Sequence, residues 1–212
     1  TITNWTGGTI DPDGGVVVSD TFNVSGGDKD LDTTLTNNGQ LNVNSDTFTL
    51  SGGGTYTGNT TVAGGALLVV DAGTYTFSGA STINGGGTFA FTGGAFDGGG
   101  TLDVQTEWNW SGGTLAVTGG TTVSDTLNVS GLDKTVTTPL HNNGQINVDS
   151  GALTLNGGGS YAGDFDVANV ATLNFETGTH ILTGAQTFSG AGLVTISGGL
   201  WDGPGSLDVQ SE

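Results

Sequence analysis

The chain has 212 residues, enough for one or two ordinary domains. It carries 17 Asp and 3 Glu against only Lys29 and Lys134, and the net charge of −18 excludes nucleic acid as a partner because nothing could neutralise phosphates. Cysteine is absent, which removes disulfides, thiol chemistry and Cys-type zinc sites, and no apolar run reaches the roughly 18 residues of a membrane-spanning helix.

Glycine supplies 42 residues and hydrophobic residues only 33%, a balance that in a featureless chain reads as disorder. Here the apolar residues alternate with Thr, Asn and Ser, so folded β-structure is expected instead. Methionine is absent even from position 1, as expected of a piece of a longer chain whose export signal or anchor lies outside it.

The chain begins on Asn4-Trp5-Thr6-Gly7-Gly8, which returns as Asn109-Trp110-Ser111-Gly112-Gly113. Residues 1–107 lie on residues 106–212 without a gap, and 55 of the 107 aligned positions are identical. Two repeat units, 1–105 and 106–212, are therefore expected to follow one another as consecutive members of a stacked array. No helix is expected, since apolar residues nowhere recur at i, i+3, i+4 over three turns without glycine.

Short strands of period two are expected throughout, and they line up in columns. A small residue followed by two alternating apolar positions opens at Gly39, Ala66, Gly87, Gly113 and Gly144. Phe48, Tyr75 and Phe96 form a second series, and Val62, Ile83 and Val104 a third, which returns as Val167, Phe188 and Val209. Advances of 21–27 residues describe a coil that comes back to the same face each turn. Alternate side chains would point inward and stack, with Thr, Asn and Asp facing water. The glycine triplets 52–54 and 157–159 supply corners with positive φ. The fold expected is a right-handed parallel β-helix, a β-solenoid of four to five coils per 105-residue unit. The alternative, two tandem β-sandwich domains, suits a unit of this length, but so much glycine weakens sandwich strands.

Residues 49–68, TLSGGGTYTGNTTVAGGALL, resemble the autotransporter-associated β-strand repeat. Residues 154–173 keep the glycines and Tyr161 but depart at Asp164, Phe165 and Asp166. Such motifs occur in passenger domains of bacterial autotransporters and in filamentous-haemagglutinin-like surface adhesins. The resemblance implies an exported β-helical stalk at the cell surface, and it assigns no binding site.

Residues able to carry chemistry are few. Glycoside hydrolysis needs two carboxylates about 5–10 Å apart, and Asp97 with Asp103, repeated as Asp202 with Asp208, is the one recurring pair. A turn aspartate and an outward strand aspartate explain it as well. His141 replaces Thr36 and His180 replaces Tyr75, so neither histidine recurs, and His180 is expected to fill the tyrosine's place in a stacked column. Lys29 and Lys134 fall in the turn-like segments GGDKD and GLDKT. Calcium is the one cofactor with any pattern behind it: Asp28, Asp30 and Asp32 alternate after two glycines, and Asp11 and Asp13 flank Pro12. The second unit has Asp133, Thr135 and Thr137, and Ala116 and Thr118, so solvated turn carboxylates are the expectation. Among the tryptophans, Trp5 and Trp110 suit a bracket between coils and Trp201 an apolar column, whereas Trp108 is expected to be exposed. Threonine rows at 47–49 and 74–76 suggest an ice-binding surface, but they degrade in the second unit.

No catalytic, cofactor-binding or metal residues are therefore expected. The reading is a structural and adhesive stalk segment of a secreted bacterial surface protein, not an enzyme. Its partners would be neighbouring repeats and cell-surface or polysaccharide ligands, with no membrane insertion. A polysaccharide-active enzyme or a carbohydrate- or surface-binding solenoid is the alternative.

Overall fold

The computed structural model describes residues 1–210, and every regular element within them is a strand. Strands pair in parallel and wind into a β-solenoid of about eleven turns, with three strands to a turn. The first face runs from Ile2–Trp5 through Thr21–Val24, Gln40–Val43 and Asn59–Val62 to Leu200–Asp202. The second runs from Lys29–Leu31 through Thr47–Leu50 and Leu67–Val70 to Ser206–Val209. The third runs from Val16–Val18 through Leu35–Asn37 and Gly54–Tyr56 to Thr114–Val117 and, after a break in the pairing, from Lys134–Val136 to Leu193–Ile196. Two long strands, Ala80–Phe91 and Thr101–Trp110, continue around the corner from first face to second and join both into one 19-stranded sheet. At one strand spacing of about 4.8 Å per turn, the rod is roughly 50 Å long.

Period-two alternation places the core. In Thr101–Trp110 the buried residues are Leu102, Val104, Thr106, Trp108 and Trp110, one after another on the inward side. Inside the tube these stack on the same positions of the neighbouring turns, and the aromatics dominate. Phe91 lies 4.3 Å from Phe96 between ring centroids, and Trp108 lies 5.7 Å from Phe89. Corners between faces need residues that let backbones approach. Gly54 and Gly159 take φ of 145° and 149°, and a Cβ on either would overlap the backbone carbonyl of Leu35 or Leu140 one turn below. Asn37 and Asn142 are buried at another corner, where each amide donates to the backbone carbonyl of Asn59 or Asp164 one turn on. Their Oδ1 atoms accept from Gly39 and Gly144, which accounts for the retained Asn-Asn-Gly-Gln.

A turn takes 19 residues at its shortest, as from Ile2 to Thr21, and 23 at its longest, as from Phe165 to Phe188. That is tighter than the 21–27 read from the columns, so a unit holds slightly more than five turns. The third column, Val62, Ile83 and Val104, does lie on a single face. The Gly39 series steps between faces: Gln40–Val43 is on the first, Leu67–Val70 on the second and Thr114–Val117 on the third. An advance of 27 is thus one turn plus one strand.

The repeat and the turn are incommensurate. Counting the two long strands once per face, and a position at residues 9–12 that forms no strand, 105 residues hold sixteen strand positions, or five and a third turns. Each residue therefore reappears 105 positions later on the next face round. Leu41 pairs with Phe22 and Thr60 on the first face, and its counterpart Ile146 pairs with Leu127 and Phe165 on the second. Residues 9–12 correspond to the third-face strand Thr114–Val117, but Pro12, which has no amide hydrogen to give, stands where that strand has Val117.

The boundary between units lies inside the continuous strand Thr101–Trp110. Val104 pairs with Ile83 of one unit and Val123 of the other, all three buried.

Candidate functional site

The position left without a strand in the first turn opens a groove of about 320 Å³. Asp11 from the irregular segment and Asp28, Asp30 and Asp32 from the turn above line it, together with Trp5 and Lys29. The structure so brings Asp11 to the alternating cluster, which linear spacing did not show, and leaves Asp13 out. Asp28 Oδ1 accepts a hydrogen bond from the Thr47 amide at 3.0 Å. Among the described residues no three carboxylate or imidazole groups converge in a way that could hold a metal ion. In the second unit the strand Thr114–Val117 fills the corresponding position, so the groove belongs to the first unit alone.

Lys29 and Lys134 are not turn residues. Each opens a strand and points inward, 7% and 5% exposed, because Lys-x-Leu and Lys-x-Val follow the same alternation as the apolar strands. The Lys29 ammonium donates to the Gly26 and Gly27 carbonyls at 3.0 and 2.9 Å and lies 5.9 Å from the Trp5 ring centroid. Lys134 donates to the carbonyls of Ser111, Ser130 and Leu132 at 3.0, 3.0 and 2.6 Å and sits 5.8 Å from Trp110. Burial pulls the Lys134 ammonium below its ordinary value. Carbonyl groups that a corner leaves unpaired thus receive the chain's two lysines, each over a tryptophan of the turn below. It is a structural staple, present once per unit, and a lysine held this way is poorly placed to take a substrate proton.

Trp108, expected at the surface, is fully buried. Its counterpart is the polar Thr3, which made the position look peripheral; Trp108 itself is inward, paired with Phe89 on one turn and Leu127 on the next. Trp5 brackets the corner as its glycines suggest, its Nε1 donating to the Gly8 carbonyl at 3.0 Å. Trp201 packs on the core, 4.8 Å from Phe175 and 5.2 Å from His180. His180 does take the tyrosine's place. Its Nε2–H donates to the Thr177 carbonyl at 2.9 Å, which leaves Nδ1 to accept from the Tyr161 hydroxyl at 2.9 Å. Burial lowers its basicity, against an opposing hydrogen bond to the Thr177 carbonyl. His141 is outward and half-buried, with Nδ1 accepting from the Ser160 amide at 3.1 Å.

The carboxylate pair does not share a face: Asp97 is on the third and Asp103 on the first. Asp97 accepts from the amide of Gly98 at 2.6 Å, and Asp202 from Gly203 at 2.7 Å, both closing turns. Asp103 accepts from Ser124 and Gln105, each at 2.6 Å, and Asp208 from Gln210 at 2.9 Å. The threonine rows also separate, 47–49 onto the second face and 74–76 onto the third, and Leu67 and Val69 follow Thr47 and Thr49 on the next turn. No flat threonine lattice results.

An outward feature that recurs with the repeat is an asparagine ladder. Asn23 donates to Asn4 at 2.7 Å and Asn42 to Asn23 at 2.8 Å on the first face. Asn128 donates to Asn109 at 2.9 Å and Asn147 to Asn128 at 2.8 Å on the second. No signal short of the strand assignment could have separated these asparagines from the turn asparagines around them. Comparison of the chain with protein-family models, with curated proteins and with solved structures found no match.

Proposed function

We propose that the chain is a stretch of non-enzymatic stalk from a large exported bacterial surface protein, built by stacking 105-residue repeats. The observation that carries this reading is the strand Thr101–Trp110, which passes from one repeat to the next with no linker, so that adding repeats lengthens one rod. The likeness of residues 49–68 to autotransporter-associated repeats points the same way. The one-third turn left over in each repeat adds a function to the stalk. Successive asparagine ladders face directions about 120° apart, as the three-strand turn requires, and so offer amide donors and acceptors all round the rod. Weak contacts with carbohydrate hydroxyls at the cell surface, summed over many repeats, would then not depend on which way the stalk is turned. An antibody raised against this chain should label intact cells of the bacterium that makes it, and brief external proteolysis should remove the label. Labelling that appears only after lysis overturns the reading.

A further inference from the structure

The corner between the first and second faces changes width where the two units join, in mid-chain with whole turns on either side. It takes residues 85–87, all glycine, on one turn, Thr106 alone on the next, and Ser124 with Asp125 on the turn after that. Thr106 draws the backbone inward: its side chain is 1% exposed, and its hydroxyl donates to the Gly87 carbonyl at 2.6 Å. Beside this pinch opens a groove of about 470 Å³. Residues 85–88 of the first unit form one wall, and Glu107, Asp125, Thr126 and Asn128 of the second unit form the other. The groove therefore belongs to the joint and to neither unit alone.

Its polar groups are out of balance. The side-chain donors are largely engaged, Thr106 on Gly87, the Thr126 hydroxyl on Asp125 at 3.3 Å and the Asn128 amide on Asn109 at 2.9 Å. The acceptors are not. Glu107 takes one long bond, from Asn109 at 3.5 Å, and Asp125 takes the one from Thr126. A carboxylate has room for about four. Among the described residues neither has a cationic partner, and both lysines are stapled inside the tube. Trp108 pairs with Leu127, so Glu107 stands opposite Thr126 and next to Asp125, about 4.8 Å along the rod. Two like charges at that spacing repel, and a donor-rich cation between them relieves the repulsion. A bare calcium ion, with its about six to eight oxygen ligands, finds too few here in too large a space.

We infer that this groove binds a saccharide carrying a free amine. The ammonium lies between Glu107 and Asp125, and ring hydroxyls donate to the carboxylate oxygens left over. The volume falls in the range of about 300–1,000 Å³ usual for small-molecule sites. This names a ligand and a place for the carbohydrate contacts proposed above and rests on that reading. The two fail separately, because the stalk is judged on cells and the groove on the purified chain.

The test titrates the purified 212-residue chain at low salt with the trisaccharide of glucosamine, with its N-acetylated form and with spermidine, followed by calorimetry. Expected is one-site binding of the free-amine trisaccharide, weakened at least about tenfold by Glu107→Gln or by Asp125→Asn, the effect of 1.4 kcal/mol. Both positions are exposed, and circular dichroism verifies the fold. Asp71→Asn, at an exposed carboxylate outside the groove, should change nothing. Gly86→Leu should abolish binding while keeping both charges, since a Cβ there meets no atom nearer than 3.8 Å and the side chain occupies the groove. The N-acetylated trisaccharide and spermidine should each bind at least about tenfold more weakly than the free-amine sugar. No binding of that sugar up to about 10 mM, where even the weakest useful affinity shows, overturns the inference. So does an equal loss with Asp71→Asn, which would be charge attraction alone. Equally tight binding of the N-acetylated sugar would remove the amine from the recognition, and equally tight binding of spermidine would remove the sugar; either overturns it too.

Discussion

Replacing Val104 with Asp probes whether the two units are one structure. The side chain is 1% exposed and is stacked between Ile83 and Val123 at the joint. Losing a buried valine removes about 1.5–3 kcal/mol of burial. Seating a carboxyl group there without a partner costs about 1–3 kcal/mol more even when it is protonated. Ionisation adds to this. In the unfolded chain the carboxyl titrates near pH 3.9, whereas in the core it holds its proton, so the folded pKa is raised and stability falls as pH rises. Three pH units at about 1.4 kcal/mol each bring a further ~4 kcal/mol by pH 7. The total, roughly 7–10 kcal/mol at pH 7, matches the whole stability of many domains. Urea unfolding followed by circular dichroism at pH 4, 5.5 and 7 reads both magnitude and slope. Thr36→Asp is the control, an outward position on the third face between Val17 and Thr55, expected within about 0.5 kcal/mol of wild type. The reasoning fails if Val104→Asp and Thr36→Asp unfold alike. It fails equally if half the signal of Val104→Asp melts at the wild-type midpoint, for the units would then be independent.

Three further outcomes follow from the same packing. Gly159→Ala, at φ 149° and against the Leu140 carbonyl, should destabilise by more than about 2 kcal/mol in the same assay, whereas Gly14→Ala, with open space around it, should be nearly neutral. His180 is held below its ordinary pKa of 6.5 by burial, so its contribution is present above that pH and is lost as the unfolded chain takes up the proton on acidification. Melting curves at pH 7 and pH 5 should show His180→Phe losing less stability between the two than wild type, and an equal loss would show that the ring titrates normally. Millimolar calcium should leave the melting temperature nearly unchanged, since a site filled to 100 times its dissociation constant would add about 2.7 kcal/mol. A large rise, abolished by changing Asp28, Asp30 and Asp32 to Asn, would mark the first-turn groove as a cation site.

What could be read from the linear sequence was whatever depends on alternation and on the 105-residue repeat. The Val62–Ile83–Val104 column, the Trp5 bracket and the place of His180 are of that kind, because each follows from a neighbour's environment carried across the repeat. What could not be read depends on which turn a residue belongs to. Trp108 was misjudged because its counterpart is the polar Thr3, whereas both fall on the inward side of their strands, Thr3 paired with the buried Phe22 and Trp108 with the buried Phe89 and Leu127. The lysines were misjudged because a charge beside Gly-Gly and Asp suggests a solvated turn. The corner's free carbonyls, which draw the ammonium inward, are invisible in the sequence. Asp11 was not grouped with Asp28 for a related reason: the two meet only because residues 9–12 forgo a strand.

The leftover third of a turn explains how the repeat can evade the turn's period. If the three faces of the tube differed, a unit of sixteen strand positions would set each side chain in a foreign environment when it next appeared. They do not differ in what matters for packing. A strand touches the strand three positions before it and the strand three positions after it, and those partners shift by sixteen along with it. Gly54 lies under Tyr75 on the third face, and Gly159 lies under His180 on the first, in the same register. Phe22, Leu41 and Thr60 stack on the first face as Leu127, Ile146 and Phe165 stack on the second. Packing therefore requires only that each turn keep its length, and the gapless alignment of the two units meets that condition even where identity is lost. Selection on the interior acts on stacking order and leaves the facing free. The surface receives what the interior leaves unspecified, a set of polar ladders that rotates by one face with every repeat.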